Sequence, residues 1–163
     1  MEELLKQLDR SDIRVKTKNK VPHILDWVNY TEKQSIQELL KENEEYGLRT
    51  GTKLGNYWFC CLDLDKRGWT KIFRSWQSYI RTFRGIHVYC LVGGKEPPRN
   101  SMLFYQDKRI GDFLSKGKQV IGVGSKHVRG ITYDLVKNGK WFMKLESMEE
   151  LKEKLSDYGI ELR

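Results

Sequence analysis

The chain has 163 residues, one domain's worth, and 39% of them are hydrophobic, so a buried core is available. Thirty Lys and Arg against 22 Asp and Glu leave a net charge of +8, which suits a polyanionic partner such as nucleic acid or nucleotide phosphate. Three cysteines in apolar runs (Cys60, Cys61, Cys90) form neither a disulfide framework nor a zinc motif and fit a reducing, cytoplasmic (intracellular) setting; no apolar stretch reaches the ~18 residues of a membrane span and no signal peptide opens the chain, so no membrane partner is expected.

Met1–Leu8 is expected as a short helix through Leu4, Leu5 and Leu8, and Val15–Lys20 as a basic, turn-rich stretch. Thr31 opens the clearest helix. T-E-K-Q fits a capping box with Gln34 at the third position, Ile36, Leu39, Leu40 and Tyr46 supply an apolar face, and Gly47 ends it. A short strand and a turn at Gly55-Asn56 then lead into Trp58–Asp65, WFCCLDLD. This apolar run reads as a strand buried on both faces. In a strand, residues two apart point the same way, so Asp63 and Asp65 share one face and Leu62 and Leu64 the other. Two carboxylates that close repel unless a proton or cation lies between them, and a divalent ion with hard oxygen ligands is the usual answer.

After Gly68 the period changes. Trp69, Ile72, Phe73, Trp76 and Ile80 recur at helical spacing, which predicts an amphipathic helix over 69–80 with Lys71, Arg74 and Arg81 off its apolar face. Thr82–Val92 is a loop running into a strand, with Ile86, Val88, Cys90 and Val92 on one side and His87, Tyr89 and Leu91 on the other. A Pro-containing connection follows, then a short strand near 102–105, Gly111-Asp112 before the turn SKGK, a strand at 119–123, and the polar loop GSKHVRG. Asn138-Gly139 predicts a hairpin between 131–136 and 140–145, and Ser147 caps a last helix carrying Met148, Leu151 and Leu155. The whole is a mixed α/β (α+β) arrangement in a single domain over residues 1–163.

Read alone, each polar feature has a plain account: a D-x-D pair where a strand leaves the core, a hydrogen-bonded strand His, an Asp at a turn, solvated basic runs. Their order and spacing say more. Gly47–Gly51 (GLRTG), Leu62–Asp65 (LDLD), Thr82–His87 (TFRGIH), Asp112, and Ser125-x-His127 followed by Gly130 and Tyr133 resemble the motifs of the primase–polymerase branch of the archaeo-eukaryotic primase superfamily. The resemblance covers about residues 40–135. It departs at Arg84, where the family usually has a second glycine, and nothing resembles the family's zinc-binding insertion, helical domain or helicase.

The resemblance implies a primase-like catalytic core with an RRM-like sheet flanked by helices. It implies a nucleotidyltransferase, a DNA primase/polymerase that joins NTP or dNTP to a 3′-hydroxyl on a DNA template with two Mg²⁺ or Mn²⁺ ions. Asp63, Asp65 and Asp112 are then the catalytic, metal-holding carboxylates. Thr82, Arg84, Gly85, His87, Ser125, Lys126 and His127 bind the nucleotide together with Arg49, and the N–H groups of the Gly85 loop approach its phosphates. Arg129, the basic run KTKNK (Lys16–Lys20), and Lys116 and Lys118 of SKGK are candidates for template or primer contact. The implied partners are primer–template DNA, nucleoside triphosphates and a helicase or other replication protein, and the family's restricted distribution suggests a mobile element. Two other readings stand beside this one. A metal-dependent nuclease accounts for the acids but not the phosphate loops. A non-catalytic nucleic-acid-binding module accounts for the charge but not the clustered carboxylates.

Overall fold

Tyr57–Leu64 is the central strand of a nine-stranded sheet, and the chain is mixed α+β with mostly antiparallel pairing. The computed structural model describes residues 1–73 and 77–163. In chain order, α1 (Glu2–Leu8) leads to three two-residue strands, β1 (Arg14–Val15), β2 (Thr17–Lys18) and β3 (Val21–Pro22). Next come α2 (Ile36–Asn43), β4 (Gly47–Arg49), β5 (Thr52–Leu54) and β6 (Tyr57–Leu64). A 3-10 turn at Arg67–Trp69 runs into α3 (Thr70–Phe73), followed by β7 (Tyr79–Arg81), β8 (Ile86–Gly93), β9 (Ser101–Tyr105) and β10 (Lys108–Leu114). The chain closes with β11 (Gln119–Ile121), β12 (Asp134–Val136), β13 (Met143–Leu145), α4 (Met148–Ser156) and β14 (Ile160–Leu162).

The large sheet runs β12-β7-β8-β6-β10-β9-β14. β8 covers one edge of β6 over all eight residues, while β5 and β10 divide the other edge. The apolar run of β6 is explained by burial on both sides. Cys60, Leu62 and Leu64 pack with Ile86, Val88, Cys90 and Val92 under Leu151 and Leu155 of α4. Phe59, Cys61 and Tyr89 pack with Leu4 and Leu8 of α1, Leu39 of α2 and Leu48 of the small sheet β1-β4-β11. The alternation expected for 86–92 is therefore the observed one. Among the described residues no helix is long and apolar enough to cross a membrane.

Four elements differ from expectation. The helix expected from Thr31 begins at Ile36, because Ser35 and Glu38 form a capping box nearer the apolar face: the Glu38 N–H donates to Ser35 Oγ, and the Ser35 N–H to Glu38 Oε2 at 2.7 Å. It ends at Glu44 in the left-handed region, and Gly47 instead opens β4. The helix over 69–80 is confined, among the described residues, to Arg67–Phe73, while Tyr79–Arg81 is a strand (Arg74 and Trp76 lie outside the described residues). Pairing of Ile80 and Arg81 with His87 and Ile86 overrides the helical period there.

Asn138-Gly139 does turn, with Gly139 at φ 98°, but the flanking strands do not pair with each other. β12 joins β7, and β13 runs parallel to β8 along the part of its edge that β7 leaves free, burying Met143 and Leu145. The fourth difference is Asp112. It stands within β10 rather than before a turn.

Candidate active site

The site is built on β6, β8 and β10. Asp63 has His87 opposite it on β8 and Asp112 opposite it on β10, so all three side chains leave the same face of the sheet. Asp65 follows at the strand end on that side, and its N–H donates to the Ile110 carbonyl at 2.9 Å. Gly111 makes this approach possible: a Cβ there would fall 2.1 Å from the Asp63 carbonyl oxygen. The ladder between β9 and β10 is bulged between Arg109 and Gly111. The extra residue turns Arg109 to the same side as Asp112, although residues three apart in a regular strand face opposite ways. Arg109 Nη2 donates to both Asp112 oxygens, at 2.7 and 2.6 Å.

The three carboxylates have different electrostatics. Burial by itself raises the Asp63 carboxyl, but His87, whose Nε2 lies 3.4 Å from Asp63 Oδ1, outweighs it with help from Lys20 and holds the carboxyl below its ordinary value. The Asp63 side chain is still 39% exposed toward the cavity, so solvent screens this pair. Asp65 is pushed up, by partial burial and then by the negative charges of Asp63 and Asp112, against Arg109 and Lys66. The charges of both other acids thus reach Asp65.

These hard oxygen donors suit a divalent cation, and the like-charge tension on Asp65 is what a cation relieves. As the side chains stand, no group of three or more His, Cys, Asp or Glu among the described residues closes around an ion. Arg109 engages both oxygens of Asp112, so a third carboxylate ligand requires that this pair open.

Beside the acids lies a cavity of about 990 Å³. From the expected set it takes in Asp63, Asp65, Thr82, Arg84, Gly85, His87, His127 and Arg129. It adds Lys66, Phe83 and Tyr133, which sequence reading did not assign to a site, and Lys20, which was expected only among the template- or primer-contacting charges of KTKNK. Tyr133 stands at the end of the Ser125–Tyr133 motif, and Lys20 ends the basic run KTKNK; these were the available signals. Asp112 opens instead on a neighbouring cleft of about 270 Å³ with Arg109, Met102 and Lys118.

The Gly85 loop is closed on itself. The Gly85 N–H donates to Thr82 Oγ1 and the Thr82 N–H to the Gly85 carbonyl, each at 3.0 Å, so these groups are spent within the turn rather than offered to phosphate. Gly85 is required for packing: a Cβ would lie 1.7 Å from the Leu64 carbonyl oxygen. Arg67, also missed, ties the loop down by donating from Nη2 to the Thr82 and Phe83 carbonyls at 3.0 and 3.1 Å. His127 stacks on Phe83 with ring centroids 4.7 Å apart, and its Nδ1 accepts the Arg129 N–H at 3.1 Å. Its pKa is lowered, first by burial and then by the charges of Lys20, Arg129 and Arg84, which keeps the ring neutral at pH 7.

The remaining expected residues lie apart from this cavity. Ser125 is fully buried, and its hydroxyl accepts the Tyr46 N–H at 3.1 Å, a structural bond. Lys126 pairs with Glu44 at 3.1 Å and lines a second cavity of about 620 Å³. Arg49 donates to the Trp27 and Tyr30 carbonyls, clasping the 27–30 loop, and burial lowers its pKa. Lys116 is exposed, and its carbonyl accepts from Asn100 at 2.9 Å. Lys118 faces the Asp112 cleft.

No family model matches the chain, and no curated protein matches it.

Proposed function

We propose that this chain is the core of a metal-dependent DNA primase/polymerase, a nucleotidyltransferase that extends a 3′-hydroxyl on a DNA template from a nucleoside triphosphate. The observation that carries this reading is the register that sets Asp63 between His87 and Asp112, with Asp65 one step on, beside a cavity edged by cations. The class of fold is in keeping with it: a mostly antiparallel sheet with D-x-D on its central strand and helices packed on both faces is what a primase-like core requires.

The chain's own groups have definable tasks. Asp63, Asp65 and, once Arg109 releases it, Asp112 would hold Mg²⁺ or Mn²⁺, which when bound supplies Lewis acidity at the reacting phosphate. Arg84 and Arg129 offer guanidinium donors to a triphosphate. His87 orients Asp63 and holds it ionised. With its Nδ1 accepting the Arg129 N–H, neutral His127 carries its proton on Nε2, which is then a hydrogen-bond donor. A replication partner such as a helicase belongs to the same proposal.

The test is incubation of an end-labelled primer–template with Mg²⁺ or Mn²⁺, with and without nucleotides. Lengthening that depends on nucleotides is expected. Shortening without them would mean a nuclease, and retention of the label without either change would mean a binding module.

A further inference from the structure

The short hairpin of β2 and β3 sends one side chain into the cavity. Its two turn residues, Asn19 and Lys20, both adopt left-handed backbone, with φ of 54° and 68°. Hairpin turns of this kind favour Asn-Gly, because glycine meets no penalty there. Lysine at the second place is strained, and strain held in place by its surroundings marks a position where the side chain is used.

The surroundings do hold it. The Lys20 N–H donates to Glu45 Oε1 at 3.0 Å, and its carbonyl accepts from Gln119 Nε2 at 2.9 Å. Gln119 reaches that place only because residue 47 is glycine: a Cβ there would lie 2.1 Å from Gln119 Oε1. Thus Glu45 and Gly47 of one segment and Gln119 of another fix one turn.

The side chain ends at the ring wall of the cavity. Lys20 Nζ lies 5.9 Å from the centroid of Tyr133. Tyr133 neighbours His127, which stacks on Phe83, and Phe83 carries Arg129 and Arg84 at 5.0 and 5.8 Å from its ring centroid. Among the described residues Lys20 forms no ion pair, whereas Lys16 on the same segment is held by Glu42 at 2.7 Å. A row of rings therefore has two guanidinium groups at one end and an uncommitted ammonium at the other. That ammonium is near enough to lower both Asp63 and His127.

We infer that Lys20 is a phosphate ligand, closing the cavity over a polyphosphate chain that Arg84 and Arg129 hold from the opposite end. The inference rests on the reading of the cavity as a triphosphate site, but it adds a residue from outside the motif region, delivered by a hairpin whose geometry serves that purpose. A polyphosphate with several negative charges satisfies three separated cations at once, whereas a single phosphate reaches only part of the row.

The experiment is calorimetric binding of inorganic tripolyphosphate to the whole chain in metal-free buffer at fixed ionic strength. Lys20→Ala is expected to weaken binding about tenfold, the order of one lost charge-assisted contact. Lys20→Arg should retain most of the affinity, and Lys18→Ala, on the same hairpin but facing the second cavity, should bind as the unaltered chain does. Lys20→Gly separates ligand contact from a structural role. It relieves the left-handed strain, so its melting temperature should rise while its tripolyphosphate affinity falls. Equal affinity in the Lys20 variants and the unaltered chain would overturn the inference alone, as would an equal loss in Lys18→Ala. No binding by the unaltered chain would overturn it together with the triphosphate reading of the cavity.

Discussion

Asp112 stands directly opposite Asp63 on the adjoining antiparallel strand, and Gly111 is the residue that lets those strands meet. Two acids far apart in sequence are thereby fixed by main-chain pairing rather than by a flexible loop. Sites on paired strands are held more tightly than sites on loops, and group-transfer chemistry gains from that rigidity.

Gly111→Ala and Gly85→Ala should both be costly. Each new Cβ would run into β6 main chain, at 2.1 Å from the Asp63 carbonyl oxygen and 1.7 Å from that of Leu64. Backbone cannot swing aside as a flexible side chain can, so each change is expected to cost about 2–3 kcal/mol in urea unfolding. Unchanged midpoints would mean the strands do not approach this closely.

Arg109 competes with any cation for Asp112. Its removal in Arg109→Ala is expected to raise Mn²⁺ affinity several-fold in the absence of nucleotide, as followed by electron paramagnetic resonance of free Mn²⁺. Arg109→Lys, which keeps the charge but on a shorter side chain whose ammonium does not reproduce the reach of Nη2 to both Asp112 oxygens, should fall between. A drop in affinity in Arg109→Ala would place Arg109 among the groups that support the ion.

Asp65 and Asp63 should respond to pH in opposite senses. The folded-state pKa of Asp65 is raised, so its contribution favours folding below the ordinary value of 3.8 and is lost as pH climbs through the raised value. At pH 7 the ionised group is then mildly destabilising, and Asp65→Asn is expected to stabilise the fold there by less than about 1 kcal/mol after solvent screening, while abolishing primer extension. The gain should vanish below about pH 4. Asp63 is lowered, so its contribution is present above its ordinary value and lost as pH falls through the lowered one; Asp63→Asn should cost stability at pH 7. Chemical denaturation across pH 3–8 separates the two signs.

His87→Ala removes the neighbour that holds Asp63 ionised, and burial then raises the carboxyl. The acid limb of the extension rate against pH should move to higher pH in this variant. A limb that stays in place would show that His87 does not tune Asp63.

The parts of this fold that were legible in the sequence are those fixed by local period. The two-sided strand 58–65, the alternation of 86–92 and the Ser147 cap needed only neighbouring residues to specify them. What failed was set by distant partners. Residues 79–81 carry a helical spacing, yet pairing with 86–87 decides their state. Asn138-Gly139 specifies a turn but not which strands its arms will join, and β8 offered β13 a free edge.

The site divides the same way. Asp63 and Asp65 declare themselves by adjacency, and the Gly85 turn by its glycine. Ser125 and Arg49 could not be read, because a polar residue in a motif looks alike whether its hydrogen bonds go to a ligand or, as here, to the chain's own backbone. The basic run KTKNK could be read as a charged contact, but only the hairpin shows that Lys20 alone of it turns into the cavity.

The central claim is that Asp63, Asp65 and Asp112 share a cation site beside a triphosphate cradle. Mn²⁺ stoichiometry, measured by electron paramagnetic resonance with a non-hydrolysable nucleoside triphosphate present, tests it most directly. Two ions per chain are expected, with at least one lost in each of Asp63→Ala, Asp65→Ala and Asp112→Ala while the variants remain folded. Undiminished binding of both ions by Asp112→Ala would contradict the claim.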